Sequence, residues 1–181
     1  MSTQQLLLIA GAALLVFWML GAYNRLVALR HAIGTAWAQA EPVLRARAAA
    51  VEALVETLRG PLADEASTLE AVRAAQAQLQ PLADALQARP TQADRAAALA
   101  RAEATLAAAL TRLMSLIELH PGLHQDAAVA APLATLNSAL PRLAAARQLY
   151  NDAVHAFNEA ATQFPARLVA QLFGLAPAGP L

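Results

Sequence analysis

Residues Leu6–Tyr23 read LLLIAGAALLVFWMLGAY, a stretch with no charged side chain and no proline. As an α-helix it is about 27 Å long, close to the hydrocarbon thickness of a bilayer, about 30 Å. Phe17, Trp18 and Tyr23 lie toward its C-terminal end, where aromatic side chains favour the membrane interface. The stretch therefore predicts a transmembrane helix whose partner is the lipid bilayer.

A cleaved signal peptide and a buried core helix are the alternatives for this segment. Signal peptides begin with basic residues and end at a cleavage site of small residues. Met1–Gln5 carries no basic side chain, and cleavage after Ala22 would place Leu20 at the third position before the cut. We therefore expect residues 1–23 to remain as an uncleaved, single-pass anchor.

The charges that follow the span predict its orientation. Arg25 and Arg30 come directly after it, whereas the first acidic residue is Glu41. The positive-inside rule then places the rest of the chain in the cytoplasm and the short N-terminal tail outside. All 13 basic residues are arginine, which, with the abundance of alanine, is typical of GC-rich bacterial genomes. The expected location is the inner membrane of a bacterial cell.

Composition narrows the class of protein. The chain is 58% hydrophobic, but only 4% of it is aromatic, so its apolar residues are mostly aliphatic and favour helix over strand. The 13 basic and 13 acidic residues cancel, which argues against a nucleic-acid partner bound through bulk charge. Without cysteine, the chain has no disulfide or thiolate chemistry.

Apolar residues continue at heptad spacing directly after the span, without a linker. Arg47 and Arg30 stand in the two rows, whose other members are Leu26, Ile33, Ala40 and Leu54, and Trp37, Leu44, Val51 and Leu58. Gly60, as a C-cap, and Pro61 end this helix, and Pro42 predicts a kink inside it.

Three further helices are predicted, over Leu62–Gln87, Gln92–Leu119 and Val129–Gln163. Pro132 is expected near the start of the last of these helices and Pro141 well inside it, where it predicts a bend. Short connections make sequential helices antiparallel. The predicted fold is all-α: the transmembrane helix continues into an antiparallel up-down-up-down four-helix bundle, residues 24–164.

The first and last bundle helices are each about 50 Å long and the inner pair about 40 Å, so the inner pair leaves one end uncovered. An apolar C-terminal tail, residues 165–181, returns to this membrane-proximal end. Ala166–Leu175 is expected to pack over the helices near Leu26 and Phe157, and the alternative is that it lies in the lipid interface. Pro177–Leu181 is expected to fray.

Charged residues interrupt the apolar rows. Arg30, Arg47 and Arg147 occupy predicted core positions, as do Glu65 and Glu103. Long arginine side chains can extend from the edge of a core to water. Alternatively, they form buried ion pairs between helices, because a buried charge requires a partner. Both interpretations are open from the sequence.

Catalytic and metal-binding patterns are weak. Carboxylate di-metal bundles place an acidic residue three positions before a histidine on each of two helices. Only Asp152 and His155 have this spacing; His31, His120 and His124 do not. The sequence also lacks a glycine-rich phosphate loop and a G-x-S-x-G nucleophile motif. We therefore expect no enzyme, no cofactor, no metal site and no catalytic residues.

Several motifs resemble the LemA family. They are the block YNRLVALR at Tyr23–Arg30 with Ala36-Trp37, LVETLRG at Leu54–Gly60, ELHPGL at Glu118–Leu123, ARQLYNDAV at Ala146–Val154, and the pairs Phe157-Asn158 and Phe164-Pro165 with Leu172-Phe173-Gly174. This resemblance implies a single-pass bacterial membrane protein with a helical soluble domain, and it supplies no catalytic residues.

The function expected from these observations is a non-catalytic scaffold or interaction module at the bacterial membrane, with an unidentified protein partner. One alternative is a membrane-remodelling protein that forms homo-oligomers. The second alternative is an enzyme or metal protein that uses the interior of the bundle.

Overall fold

The computed structural model describes residues 2–181. Most of these residues are helical, and none of them forms a β-strand. The long helices are α1 (Thr3–Ala38), α2 (Glu41–Leu58), α3 (Ala66–Ala88), α4 (Ala93–Glu118) and α6 (Ala127–Thr162). The short helices are α5 (Pro121–His124) and α7 (Ala166–Leu172), and a 3-10 turn at Ala63–Glu65 precedes α3.

The first part of α1, residues 3–18, is exposed. Ser2 caps this helix: its hydroxyl accepts a hydrogen bond from the Gln5 amide, and the Gln5 side chain accepts one from the Ser2 amide. The helix is long and apolar enough to cross a membrane, and no residue in its most apolar window is buried. This segment is therefore not a core helix, and its exposed apolar surface makes it a candidate membrane span.

A short turn at Gln39–Ala40 interrupts the predicted first helix and separates α1 from α2. Pro42 lies in the first turn of α2, where its missing amide hydrogen costs no hydrogen bond. Gln39 and Ala40 keep right-handed helical dihedral angles, so the chain is not reversed. The expected kink at Pro42 is thus a helix boundary two residues earlier.

The four-helix bundle predicted from the sequence is confirmed. α2 packs against α6 and α3, α3 packs against α4, and the second half of α1 packs against α6. The heptad rows of the first helix are buried with one exception, Arg30, which is exposed. On α6, Leu136, Tyr150 and Phe157 are buried, whereas Phe164, at the same seven-residue spacing, lies beyond the end of α6 and is 67% exposed.

Glycine and proline act differently from expectation at three positions. Gly60 does not adopt the positive φ of a left-handed C-cap, and α2 ends at Arg59 in right-handed geometry. Pro132 and Pro141 both lie inside α6, which is one uninterrupted helix from Ala127 to Thr162. Pro132 is therefore two residues deeper in the helix than predicted, because α6 begins at Ala127, after an Asp126 cap.

The C-terminal tail folds back onto the bundle. Val169 and Ala170 of α7 are buried against α1 and α6, as expected for Ala166–Leu175. Leu172 of the same segment is, in contrast, 70% exposed. The buried surface of α7 comes instead from Ala166, Val169 and Ala170. Beyond α7 the chain runs back along α6 as an extended segment, which we call the strap (residues 175–181).

The expectation that Pro177–Leu181 frays is wrong. The Asn158 side-chain amide accepts from the backbone N–H of Ala178 and donates to its carbonyl oxygen, at 2.9 and 2.8 Å. Asn151 pairs in the same two-point manner with Leu181, at 2.8 and 3.1 Å. These four hydrogen bonds hold the strap by its backbone.

The spacing of the two asparagines matches the strap. Asn151 and Asn158 are seven residues apart on α6, a rise of about 10.5 Å. Their partners are three residues apart in the extended strap, which spans about 10 Å. Between them, Gly179 lies so close to α4 that an added Cβ would be 2.5 Å from the Ala93 Cα. Glycine is therefore required at this position for the strap to pass.

We expect Gly179→Ala to lower the free energy of unfolding by about 1–3 kcal/mol, because the new methyl group meets backbone that cannot yield. Thermal unfolding of the full chain in detergent micelles, followed by circular dichroism, measures the effect. Gly60→Ala is the matched control, since no atom lies within 4 Å of an added Cβ there. Equal melting temperatures for the two variants would contradict the packing of the strap.

Candidate functional site

A cavity of about 200 Å³ lies between α2, α4 and α6 and is the candidate site of the bundle. We call it the groove. Its walls are mostly apolar, and the strap residue Leu181 forms part of them. The other lining residues are Trp37, Ala40, Leu44, Arg47, Leu99, Ala100, Glu103, Leu140, Leu143, Ala144 and Arg147.

Helical spacing brings these side chains to one place. On α6, Leu140, Leu143, Ala144 and Arg147 are three or four residues apart and therefore share one face. Leu140 is 57% exposed and Leu143 half-buried, so this face forms an apolar rim that is open to solvent. The groove thus offers apolar surface without being a closed core cavity.

An ion pair crosses the interior beside the groove. The two terminal nitrogens of Arg47 on α2 donate to the two carboxylate oxygens of Glu103 on α4, at 2.7 and 2.6 Å. The Arg47 side chain is only 5% exposed, whereas Glu103 keeps 31% of its side-chain surface. This two-point geometry is the strongest that an arginine and a carboxylate form. Glu103 therefore compensates the buried charge of Arg47.

The Nε nitrogen of the same guanidinium takes no part in this ion pair. Arg47 Nε is buried and has no hydrogen-bond partner among the described residues. An unmade hydrogen bond at a buried donor costs free energy, about 1–3 kcal/mol in typical cases.

The two interpretations of the arginines at predicted core positions therefore apply to different residues. Arg47 forms the buried interhelical ion pair, whereas Arg30 and Arg147 are exposed. Among residues 2–181 neither of these two forms an ion pair, so both extend from the core edge into water. Glu65 is half-buried and accepts a hydrogen bond from Thr68 at 3.5 Å.

The histidines do not converge. His31, His120 and His155 are all exposed, and Asp152 accepts a hydrogen bond from Gln148 rather than facing a histidine. Within the described part of the chain no three histidine, aspartate or glutamate side chains come together in a way that would hold a metal ion. The side chain of His124 lies outside the described residues.

Three residues of α6 have a role that the sequence analysis missed. Tyr150, Asn151 and Asn158 hold the strap, and the Tyr150 hydroxyl lies 2.9 Å from the Pro90 carbonyl oxygen and 3.1 Å from that of Gly179. Burial raises the pKa of Tyr150 to about 12, so the hydroxyl stays a donor. The signal available in the sequence was a pair of asparagines seven residues apart beside an apolar stripe.

These features define a class of protein: a helical bundle in which one helix extends as a candidate membrane span and the C-terminal segment is hydrogen-bonded along α6. The sequence profile of the LemA family matches residues 36–180, most of the chain, and the chain belongs to this family. The chain matches none of the curated proteins with which it was compared.

We expect Arg47→Ala to lower the free energy of unfolding by about 3 kcal/mol, because it leaves the Glu103 carboxylate partly buried without its partner. Arg45→Ala is the matched control on the same helix; it removes an exposed pair with Glu41 and should cost at most about 1 kcal/mol. Replacing both members, as Arg47→Met with Glu103→Leu, should recover most of the loss. Thermal unfolding in detergent measures all three, and equal effects of the two single variants would contradict the buried pair.

Proposed function

We propose that this protein is a single-pass, membrane-anchored and non-catalytic interaction module that holds its helical bundle against the cytoplasmic face of a bacterial inner membrane. The observation that carries the proposal is the continuity of α1. One helix contains both the exposed apolar segment and, from Leu26 onward, the buried stripe that packs on α6.

Continuity matters because it removes freedom of movement. Leu26 is fully buried only three residues after Tyr23, and Ile33 and Trp37 follow on the same face. A flexible linker would let the bundle sample many positions above the bilayer. A helix that passes straight into a packed core instead holds the groove at one height above the bilayer, which suits a scaffold that presents a surface to a partner.

The groove is the proposed partner site. Its apolar rim on α6 fits an apolar segment of a partner protein, and the exposed Arg147 beside it would pair with an acidic side chain of that segment. The ionisable side chains in its lining are Arg47, Glu103 and Arg147, and the first two are already paired with each other. This arrangement supports binding rather than proton transfer.

The anchor and its sidedness are tested together with the variant Glu70→Cys, which places one thiol on an exposed position of α3 in a chain without cysteine. In spheroplasts this thiol should resist a membrane-impermeant maleimide until the cells are opened. The protein should also stay in the membrane pellet after washing at high salt and alkaline pH. Labelling of intact spheroplasts would place the bundle outside, and release into the wash would remove the anchor.

The partner site is tested by a photo-crosslinking amino acid at Leu140 in living cells. We expect a discrete adduct of higher mass that disappears when Arg147→Glu reverses the rim charge. Leu149 is the matched control, since it is also an exposed leucine of α6 but does not line the groove.

Three results would contradict this assignment of the groove. They are the absence of an adduct at Leu140, an equal adduct at Leu149, or an adduct that survives the reversal of charge. An adduct with the mass of two copies of this chain would favour the oligomerising, membrane-remodelling alternative.

A further inference from the structure

The membrane-proximal end of the molecule carries a second apolar surface that is separate from the span. Helix α7 buries Ala166, Val169 and Ala170 against the protein, and its opposite side exposes large apolar side chains. We call these side chains the α7 face; they are Leu168 and Leu172 of the helix, with Phe164 before it and Phe173 after it.

Aromatic contacts place the α7 face at the depth of the span. The ring of Phe164 lies 4.9 Å from that of Trp18, and the ring of Phe173 lies 4.8 Å from that of Tyr23. Trp18 and Tyr23 are the aromatic residues at the end of the apolar segment, and five residues of helix separate them, about 7.5 Å. The α7 face therefore occupies the last part of the span, where the apolar segment meets the interface.

The charged side chains of α7 and of the neighbouring part of α1 are all positive. Arg167 on α7 is exposed, and so are Arg25 and Arg30 of α1, directly after the span. No acidic side chain occurs in residues 2–40 or in residues 160–181. A cationic rim around an apolar surface matches the anionic headgroups and the acyl boundary of a bacterial membrane.

We propose that the α7 face is a second membrane-binding surface, which inserts into the interfacial layer of the same bilayer that α1 crosses. Leu168, Leu172 and the two phenylalanines would enter the acyl boundary, and Arg167 and Arg25 would contact lipid phosphates. The occupant is the bilayer because the surface is continuous with the span, through Trp18 and Tyr23, and is bordered by positive charge.

This second contact adds to the proposed function without depending on the groove. A single helix that crosses a bilayer is free to rotate about its own axis. A side attachment at α7 removes this rotation and fixes which side of the bundle is turned toward the membrane.

The test is depth measurement by spin labelling of the full chain in vesicles of phosphatidylcholine and phosphatidylglycerol. Because the chain contains no cysteine, Leu172→Cys and Leu168→Cys each introduce one labelling site. Leu15→Cys, in the exposed part of the span, is the reference for lipid, and Leu149→Cys, an exposed leucine of α6 farther from the membrane, is the reference for water.

We expect labels at positions 172 and 168 to collide with oxygen several-fold more often, relative to a water-soluble nickel complex, than the label at position 149. Their ratio should approach that at position 15. A ratio equal to that at position 149 would overturn the proposal. Dipolar broadening between labels at position 172 that disappears on dilution with unlabelled protein would also overturn it, because a second copy would then cover the face.

Discussion

The structure depends on one continuous helix, α1, whose first part is apolar and exposed and whose second part packs in the core of the bundle. In α1 the residues up to Leu20 present apolar side chains in all directions, whereas from Leu26 onward only one face is apolar and buried. Because no residue between the two parts breaks the helix, the core of the bundle begins where the exposed apolar segment ends. The position of every other helix relative to this segment follows from this continuity.

The difference in length between the helices explains how the C-terminal end of the chain packs. α6 has 36 residues, whereas α3 and α4 have 23 and 26, so the inner pair leaves α1 and α6 uncovered at the end of the bundle nearest the exposed apolar segment. The chain covers this end with its own last residues, α7 and the strap. Because the strap has little side-chain volume, Tyr150, Asn151 and Asn158 hold it through its backbone, and the approach of Gly179 to Ala93 sets its path.

Among the described side chains, Arg47 is the only charged one that is buried, and it lies where three helices leave a groove. Arg47 replaces an apolar residue in the heptad row and reaches Glu103 across the interior, which relates the register of α2 to that of α4. Replacing such a pair with apolar residues often leaves stability unchanged, so its benefit is better understood as a constraint on alignment.

Heptad spacing, turn residues and the absence of charge in Leu6–Tyr23 were sufficient to predict the exposed apolar segment, the helical bundle and most of the buried rows, because these features depend on periodicity along one helix. Periodicity could not separate Arg47 from Arg30 and Arg147, since all three occupy equivalent rows and only Arg47 meets an acidic side chain of another helix. It also could not show that residues 177–181 are ordered, because their hydrogen bonds come from side chains of α6 that are distant in sequence. Local pattern therefore specifies which face of each helix is buried, whereas contacts between distant segments decide which charges are paired, where the groove opens and how the chain ends.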